Sequence, residues 1–556
     1  MKSSRRSFLQ NLGIGAAGFG IAASAPLSVL AKEANGKKRS NSDQLLFIGN
    51  EIAVANTTYG KVRGYILRDV YTYLGIPYGA DTSGENRFMP PKKPTPWNET
   101  KPAVWWGNSA PQNMERRYAD PNASFLDHWN YDDVSENCLT LNVWTPSITD
   151  NKKRPVLVWL HGGGFTAGNS HEQDGYNGEN LARFGDIVFC SVNHRLGAMG
   201  FSNFAGAAGE KFAASGNVGM LDIVSALEWI RDNISNFGGD PGNVTIMGQS
   251  GGGAKVCTLM AMPSAKGLFH KGVALSGASL RSGNKETSEK LGAYILKEAG
   301  LTASEMNKLQ QMPWQQYYEL ANKAARKLRE ETGGTTTGMG GGFSPVVDGA
   351  YLPQHPFTPE ASPLANTIPM MLCSTFYEAS PSRYDAKLEN ISFAEVKEKL
   401  KDRFKEKTDA IVSAYTQTFP EKKPVEIWTM ITSNRQNVVA VANAKSKQNA
   451  PVYVAWFGWL PPLFDNRLRS FHCSDICFWF YNTDVMLSHT GGGSRPRKLS
   501  TKMAGSLLKF MKTGNPNGGG LPTWARYSSL NGETMVLDDL PVLKNDPDGP
   551  ARKTIA

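Results

Sequence analysis

The sequence predicts an α/β protein, with a large, mostly parallel central sheet flanked by helices. Three observations predict it. "RPVLVWLHGGG" contains a continuous apolar run, residues 156–160, that ends in glycines, as expected of a strand buried on both faces. "DIVFCSVNHR" repeats that pattern, and "NVTIMGQSGGGAKVCTLMAM" passes from an apolar strand through a glycine turn into a helical segment. Between these lies "MLDIVSALEWIRDNISNF", which carries Ile223, Leu227, Trp229 and Ile230 at helical spacing. Strand and helix signals keep alternating, and no internal repeat is evident.

At the start of the chain, "SRRSFLQ" sets Arg5 and Arg6 ahead of a weakly apolar run that ends in small residues at Val29-Leu30-Ala31. A charged start, a short apolar stretch and a small-residue exit describe an export signal over residues 1–31 rather than folded structure. Paired arginines followed by Phe-Leu resemble the bacterial twin-arginine signal, which implies a periplasmic or secreted protein. Residues 32–45, with Lys37, Lys38 and Arg39, read as a disordered leader, and residues 46–556 read as one domain. That domain opens with "EIAVANTTYGKVRGYI", short alternating segments broken by turn residues, which suggests hairpins. No apolar run after residue 31 reaches the roughly 18 residues that span a bilayer, so stable membrane insertion is not expected.

The formal charge of +10 includes Lys2, Arg5 and Arg6; without them 57 bases face 50 acids. The bases are spread out rather than gathered in a stripe, which argues against nucleic acid. The mixed-sign run "FAEVKEKLKDRFKEKTDAI" reads as a solvated helix face. "ETGGTTTGMGGGF" (residues 331–343) lacks the Gly-Lys-Ser/Thr ending of a phosphate loop and reads as a surface loop. Six cysteines do not make a disulfide framework in a chain of 556 residues. Cys473 and Cys477 beside His472 have no second ligand pair at matching spacing, so neither a metal nor a cofactor is expected.

The stretch "IMGQSGGGAK" (residues 246–255) sets one hydroxyl, Ser250, among glycines. A serine is a weak nucleophile that must be exposed both to a base and to a substrate carbonyl. Gly248-Gln249-Ser250-Gly251-Gly252 offers that exposure on a sharp strand-to-helix turn, where larger flanking residues would collide. An oxyanion forming nearby needs backbone donors, and "HGGGF" (residues 161–165) follows a predicted strand where such donors belong.

With these motifs go "SENCLTLNVWTP", "VNHRLGAMGF", "GNVGMLDIVSALEWIRDNISNFGGDPGNVTIMGQSGGG", "FSPVVDG" and "FMKTGNPNGGGLPTWARY", all in one order. Together they resemble the type-B carboxylesterases, the α/β-hydrolase family that also includes the cholinesterases and some large lipases. The resemblance covers nearly all of the chain after the leader. It implies an α/β-hydrolase fold and a serine carboxylic-ester hydrolase that works through an acyl-enzyme on small-molecule esters without cofactor.

By the same resemblance the residues are assigned in the order Ser, acid, His. Ser250 is the nucleophile. "RSFHCSDICFWF" resembles the family's catalytic-histidine segment, so His472 is the base, while His489, in "SHTGGGSRPR", reads as a solvated histidine. "PMMLCSTFYEAS" aligns Glu378 with the family's acid, although Cys373, Thr375 and Ala379 replace the usual small or amide residues, and Asp348 and Asp385 remain alternatives. The implied oxyanion donors are the amides of Gly163, Gly164 and Gly251; relatives often have alanine at the last position. His161 reads as structural or pocket-lining, and Trp129, Phe165, Phe201 and Trp479 as pocket or core. Arg87 and Glu136 match a structural ion pair.

Two departures stand out. Gln249 replaces the glutamate that many relatives carry before the serine, which suggests a preference for neutral or anionic esters, or a local hydrogen bond. Cys138 has no upstream cysteine, Met114 lying where a partner would be, and so reads as a buried free thiol. The same triad serves carbamates, amides and lactones. A non-catalytic binding protein on this scaffold is the competing class, although such proteins typically lose a triad member.

Overall fold

The framework is a twelve-stranded sheet; the computed structural model describes residues 44–113, 133–333 and 342–555. In chain order the strands are β1 (Leu46–Phe47), β2 (Val54–Thr57), β3 (Gly60–Arg63), β4 (Tyr65–Leu67), β5 (Val70–Pro77), β6 (Lys101–Pro102), β7 (Thr140–Thr145) and β8 (Arg154–Leu160). Then come β9 (Val188–Val192), β10 (Gly239–Gln249), β11 (Lys271–Leu275), β12 (Met370–Thr375), β13 (Val452–Phe457), β14 (Glu533–Leu537) and β15 (Val542–Asn545). The large sheet runs β1-β4-β5-β7-β9-β8-β10-β11-β12-β13-β14-β15, while β2, β3 and β6 pair separately. Every pairing from β9 to β14 is parallel, and the pairings at both margins are antiparallel.

The apolar runs become central strands because both of their faces are covered. Along β8, Val156, Val158 and Leu160 join one core while Leu157 and Trp159 join the other. Helices α1 (Val218–Asn233), α2 (Gly251–Leu259) and α3 (Arg435–Lys445) supply Ile223, Leu227, Val256 and Val438 to the first core. On the opposite face α4 (Ser494–Thr513) supplies Leu499, Met503 and Leu507 to the second. The expected hairpins form at the start, with β2 against β3 and β4 against β5. The mixed-sign run forms a helix, Phe393–Phe404, that buries only Val396 and Leu400, and Ser392 and Glu395 close a capping box at its start.

From Leu45 onward the chain forms one compact unit. The expected export signal, residues 1–31, lies outside the described residues, as do nearly all of the leader and residues 334–341 of the glycine-rich stretch. Among the described residues no helix is long and apolar enough to cross a membrane. None of the six cysteines, all among the described residues, forms a disulfide. Cys138 is fully buried, and burial pushes its thiol pKa up. Arg87 and Glu136 form the expected ion pair at 2.5 Å, both nearly inaccessible.

Candidate active site

The site is assembled at the ends of parallel strands, where β10 turns into α2, where the chain leaves β8 and β12, and where a later loop returns past them. At the first of these Ser250 adopts φ 55°, ψ −121°, a conformation uncommon for a residue with a side chain. It is held there by its own amide, which donates to the Leu275 carbonyl at 2.8 Å. Gly251 must then pass the loop after β8 so closely that an added Cβ would sit 2.0 Å from the Gly164 carbonyl oxygen. Steric closeness, rather than turn flexibility alone, therefore accounts for glycine at this position. In the facing loop Gly163 and Gly164 take φ 78° and 63°, so the glycine cluster adopts the left-handed region that side chains disfavour.

The glycine loop rests on a buried polar layer. Lys255, on α2 and fully buried, donates to the His161 carbonyl at 2.9 Å. Burial pushes its pKa down to about 7, against a smaller upward pull from Glu172. His161 lies over His194 with ring centroids 5.0 Å apart. Both imidazoles are held well below their ordinary pKa, first by burial and then by the neighbouring Lys255 charge. His161 thus belongs to this buried layer and does not line the cavity that holds Ser250.

His472 faces the same end of the sheet. Its Nδ1 lies 2.5 Å from Glu378 Oε2, and its backbone amide donates to the Glu378 carbonyl at 3.1 Å. The other carboxylate oxygen of Glu378 accepts from the Thr375 amide at 3.1 Å, so the acid is oriented from two sides. Burial lowers the His472 pKa, but the Glu378 carboxylate outweighs it, with Asp475 adding to Glu378 and Arg383 opposing, and the net shift is upward. About a third of the ring side chain, 34%, remains accessible. Ser250, Glu378 and His472 all line one cavity of about 800 Å³, with Arg281, Arg383 and Asn434 also in its wall.

The reserve acids lie elsewhere: Asp348 accepts from Asn217 at 2.8 Å, and Asp385 caps the turn at Lys387. Comparison with known proteins bears on what the arrangement is. Residues 51–549 match the family model described as the carboxylesterase family. The chain belongs to the carboxylesterase family.

Relatives and structures agree. This carboxylesterase is 31% identical to the para-nitrobenzyl esterase of Bacillus subtilis over 90% of its own length and 98% of the relative's. It is 30% identical to the phenmedipham hydrolase of Pseudarthrobacter oxydans, over 87% and 95% of the two chains. An esterase of Clostridium hathewayi described as hydrolysing aliphatic aromatic polyesters superposes with a TM-score of 0.77 at 32% identity, covering 92% of this chain and 99% of that one. The fold is thus the α/β-hydrolase fold, and the protein is an enzyme that hydrolyses carboxylic esters.

Of the aromatic residues read as pocket or core in this carboxylesterase, Trp479 and Phe165 fall in the core, and the solvated reading of His489 needs correction. Trp479 is wholly buried in the second core, its Nε1 donating to Asp475 at 3.2 Å, because its short helix (Ile476–Trp479) packs against α4 rather than lining the cavity. Phe165 is also core: it turns inward from the glycine loop and meets Phe201 edge-to-face at 5.5 Å. His489 is not solvated but buried, with its ring 5.0 Å from Phe471. Trp129 lies outside the described residues.

Gln249, singled out in the sequence for its missing charge, is fully buried, and its Nε2 stands 3.1 Å from Nε2 of His472. Other residues around the site escaped the sequence. Asp475 is buried three residues after His472; burial, and then Glu378, push its carboxyl up to about 6. Arg281, Arg383 and Asn434 carried no motif, since a wall assembled from three separate segments has no spacing signature.

Proposed function

We propose that the enzyme hydrolyses its esters through an acyl-enzyme, with Ser250 as nucleophile, His472 as general base and Glu378 as the acid that orients it. Ser250 Oγ attacks the ester carbonyl while His472 Nε2 takes its proton, and Glu378 holds Nδ1–H and stabilises the imidazolium. The amides of Gly163, Gly164 and Gly251 donate to the oxyanion, which is where most of the barrier reduction is expected. His472 then protonates the departing alcohol, and a water attacks the acyl-enzyme by the same route. Side chains, water and substrate account for every proton and electron pair in this scheme.

The observation that carries the reading is the approach of His472 Nδ1 to Glu378 at 2.5 Å beside a cavity that Ser250 also lines. The unusual backbone of Ser250 supports it, since an elbow held in that geometry exposes its hydroxyl. Carbamates, amides and lactones fit the same chemistry. Matched p-nitrophenyl ester, carbamate and anilide substrates, run on wild type and Ser250→Ala, test the reading: ester turnover should dominate and be lost in the variant. Undiminished turnover in Ser250→Ala would exclude the scheme.

For substrate charge, the uncharged Gln249 and the guanidiniums of Arg281 and Arg383 in the cavity wall favour neutral or anionic esters. Gln249→Glu should then raise the relative rate on a choline ester over its neutral isostere; an unchanged ratio would exclude the idea. For location, residues 1–31 are proposed as a twin-arginine export signal and 32–45 as a leader ahead of a domain at 46–556, giving a periplasmic or secreted enzyme. Replacing Arg5 and Arg6 by lysine should strand the activity in the cytoplasm, and normal export of that variant would contradict it.

A further inference from the structure

The hydrogen-bonding partner of His472 Nε2 carries an inference that rests on the serine-hydrolase reading and goes beyond it. With Glu378 accepting from Nδ1–H, a neutral imidazole presents only a lone pair at Nε2. That lone pair must receive the Ser250 proton. In the structure, however, it faces the side-chain amide of Gln249 at 3.1 Å. Among the described residues Ser250 Oγ makes no hydrogen bond. Gln249 comes from the last position of β10, immediately before the serine, and its side chain is completely buried. Its other terminal atom, Oε1, lies toward the glycine loop, where a Cβ on Gly162 would be 3.2 Å away, and has no hydrogen-bond partner. The amide is therefore lodged between the oxyanion loop and the histidine, with one polar end committed to His472.

We propose that Gln249 is a positioning residue for the reaction: its amide N–H caps the His472 lone pair in the resting enzyme, so that acylation begins with an exchange of hydrogen bonds, the serine hydroxyl displacing the glutamine, rather than from a preformed Ser–His pair. Once the ring is protonated, Nε2–H is a donor and can no longer accept from the amide. Glutamate in this place could only accept and would hold the imidazolium. The neutral amide thus keeps the base ready to accept. The groups facing His472 are Glu378 from the turn after β12, Arg383 from the short helix Pro381–Arg383, Asp475 from the turn that follows the histidine, and Gln249 from β10. Only the last is uncharged and in contact with Nε2.

The test is the acid limb of kcat/KM on p-nitrophenyl acetate for wild type, Gln249→Met and Gln249→Glu, with melting curves to confirm folding. Methionine keeps the volume but removes the donor that favours the neutral ring, so the limb should move up by about half a pH unit to one unit. Glutamate adds a charge that favours the imidazolium, and its limb should move up by about one unit or more. This order, wild type lowest and glutamate highest, is what the proposal requires. Coincident limbs, with kcat reduced equally at all pH values, would overturn it and leave Gln249 as packing only. Ser250→Ala runs alongside: if it retained full turnover, the serine reading itself would fall, and the Gln249 proposal with it. Loss of turnover in Ser250→Ala with coincident limbs isolates the failure to Gln249.

Discussion

Replacing Glu378 by glutamine probes the acid through a tautomer rather than through a lost contact. The Thr375 amide donates to Oε1 at 3.1 Å, and Nδ1 of His472 lies 2.5 Å from Oε2. A glutamine in this place has one acceptor and one donor end. Its carbonyl oxygen is drawn to the Thr375 N–H, since two facing donors would leave a buried amide unsatisfied. The NH2 group then points at Nδ1, which must become the acceptor, and the imidazole proton moves to Nε2. In that tautomer the ring cannot take the serine proton. The backbone bond from the His472 amide to the Glu378 carbonyl survives, so the fold of the turn is retained. A wrong-tautomer change of this kind lowers kcat by about 10⁴-fold, or roughly 5 kcal/mol of transition-state stabilisation. Burst titration of active sites followed by steady-state rates on p-nitrophenyl acetate would measure it. KM should change little. A loss under about tenfold in properly folded Glu378→Gln would refute the assignment of the acid and the tautomer argument together.

Other consequences are testable in the same preparations. Arg87→Met leaves Glu136 charged in a site where both partners are almost inaccessible; urea unfolding should show a loss of about 3–5 kcal/mol, with kcat per folded molecule unchanged. Lys255 has a folded pKa of about 7, below the ordinary lysine value, so between about pH 7 and 10 the unfolded chain binds the extra proton and stability rises with pH. Urea midpoints should therefore show wild type gaining on Lys255→Met across that window, and parallel curves would contradict a buried, titrating amine. Gly251→Ala would press a Cβ to within 2.0 Å of the Gly164 oxygen, and the displaced glycine loop should cost about 10²-fold or more in kcat, the scale of one lost oxyanion donor.

The parts of the molecule legible in the sequence were those whose local pattern has a single physical cause. Residues 156–160 could be read as a central strand because a run apolar at every position needs two covered faces, and here Leu157 and Leu160 do face opposite cores. Ser250 was legible because the elbow excludes side chains on either side of it. His472 and Glu378 came from their order and resemblance rather than from geometry, which is why Asp348 and Asp385 stayed open until the turn after β12 was seen to meet the histidine loop. The aromatics stay open between pocket and core in the sequence for a related reason: Trp479 and Phe165 have the same chemistry in either place, and only the direction of their segments decides between them. The polar side of the cavity, Arg281, Arg383 and Asn434, comes from distant loops with no shared period. The contact between Gln249 and His472 joins residues 223 positions apart, and no spacing rule foretells it.

The central claim, that Ser250 is an activated nucleophile, is tested most directly by intact mass after treating the leaderless protein with a fluorophosphonate probe beside Ser250→Ala. The account predicts one covalent adduct on wild type, mapped to Ser250, and none on the variant. An unmodified wild type that is folded and still turns over esters, or an adduct that persists in Ser250→Ala, would contradict it.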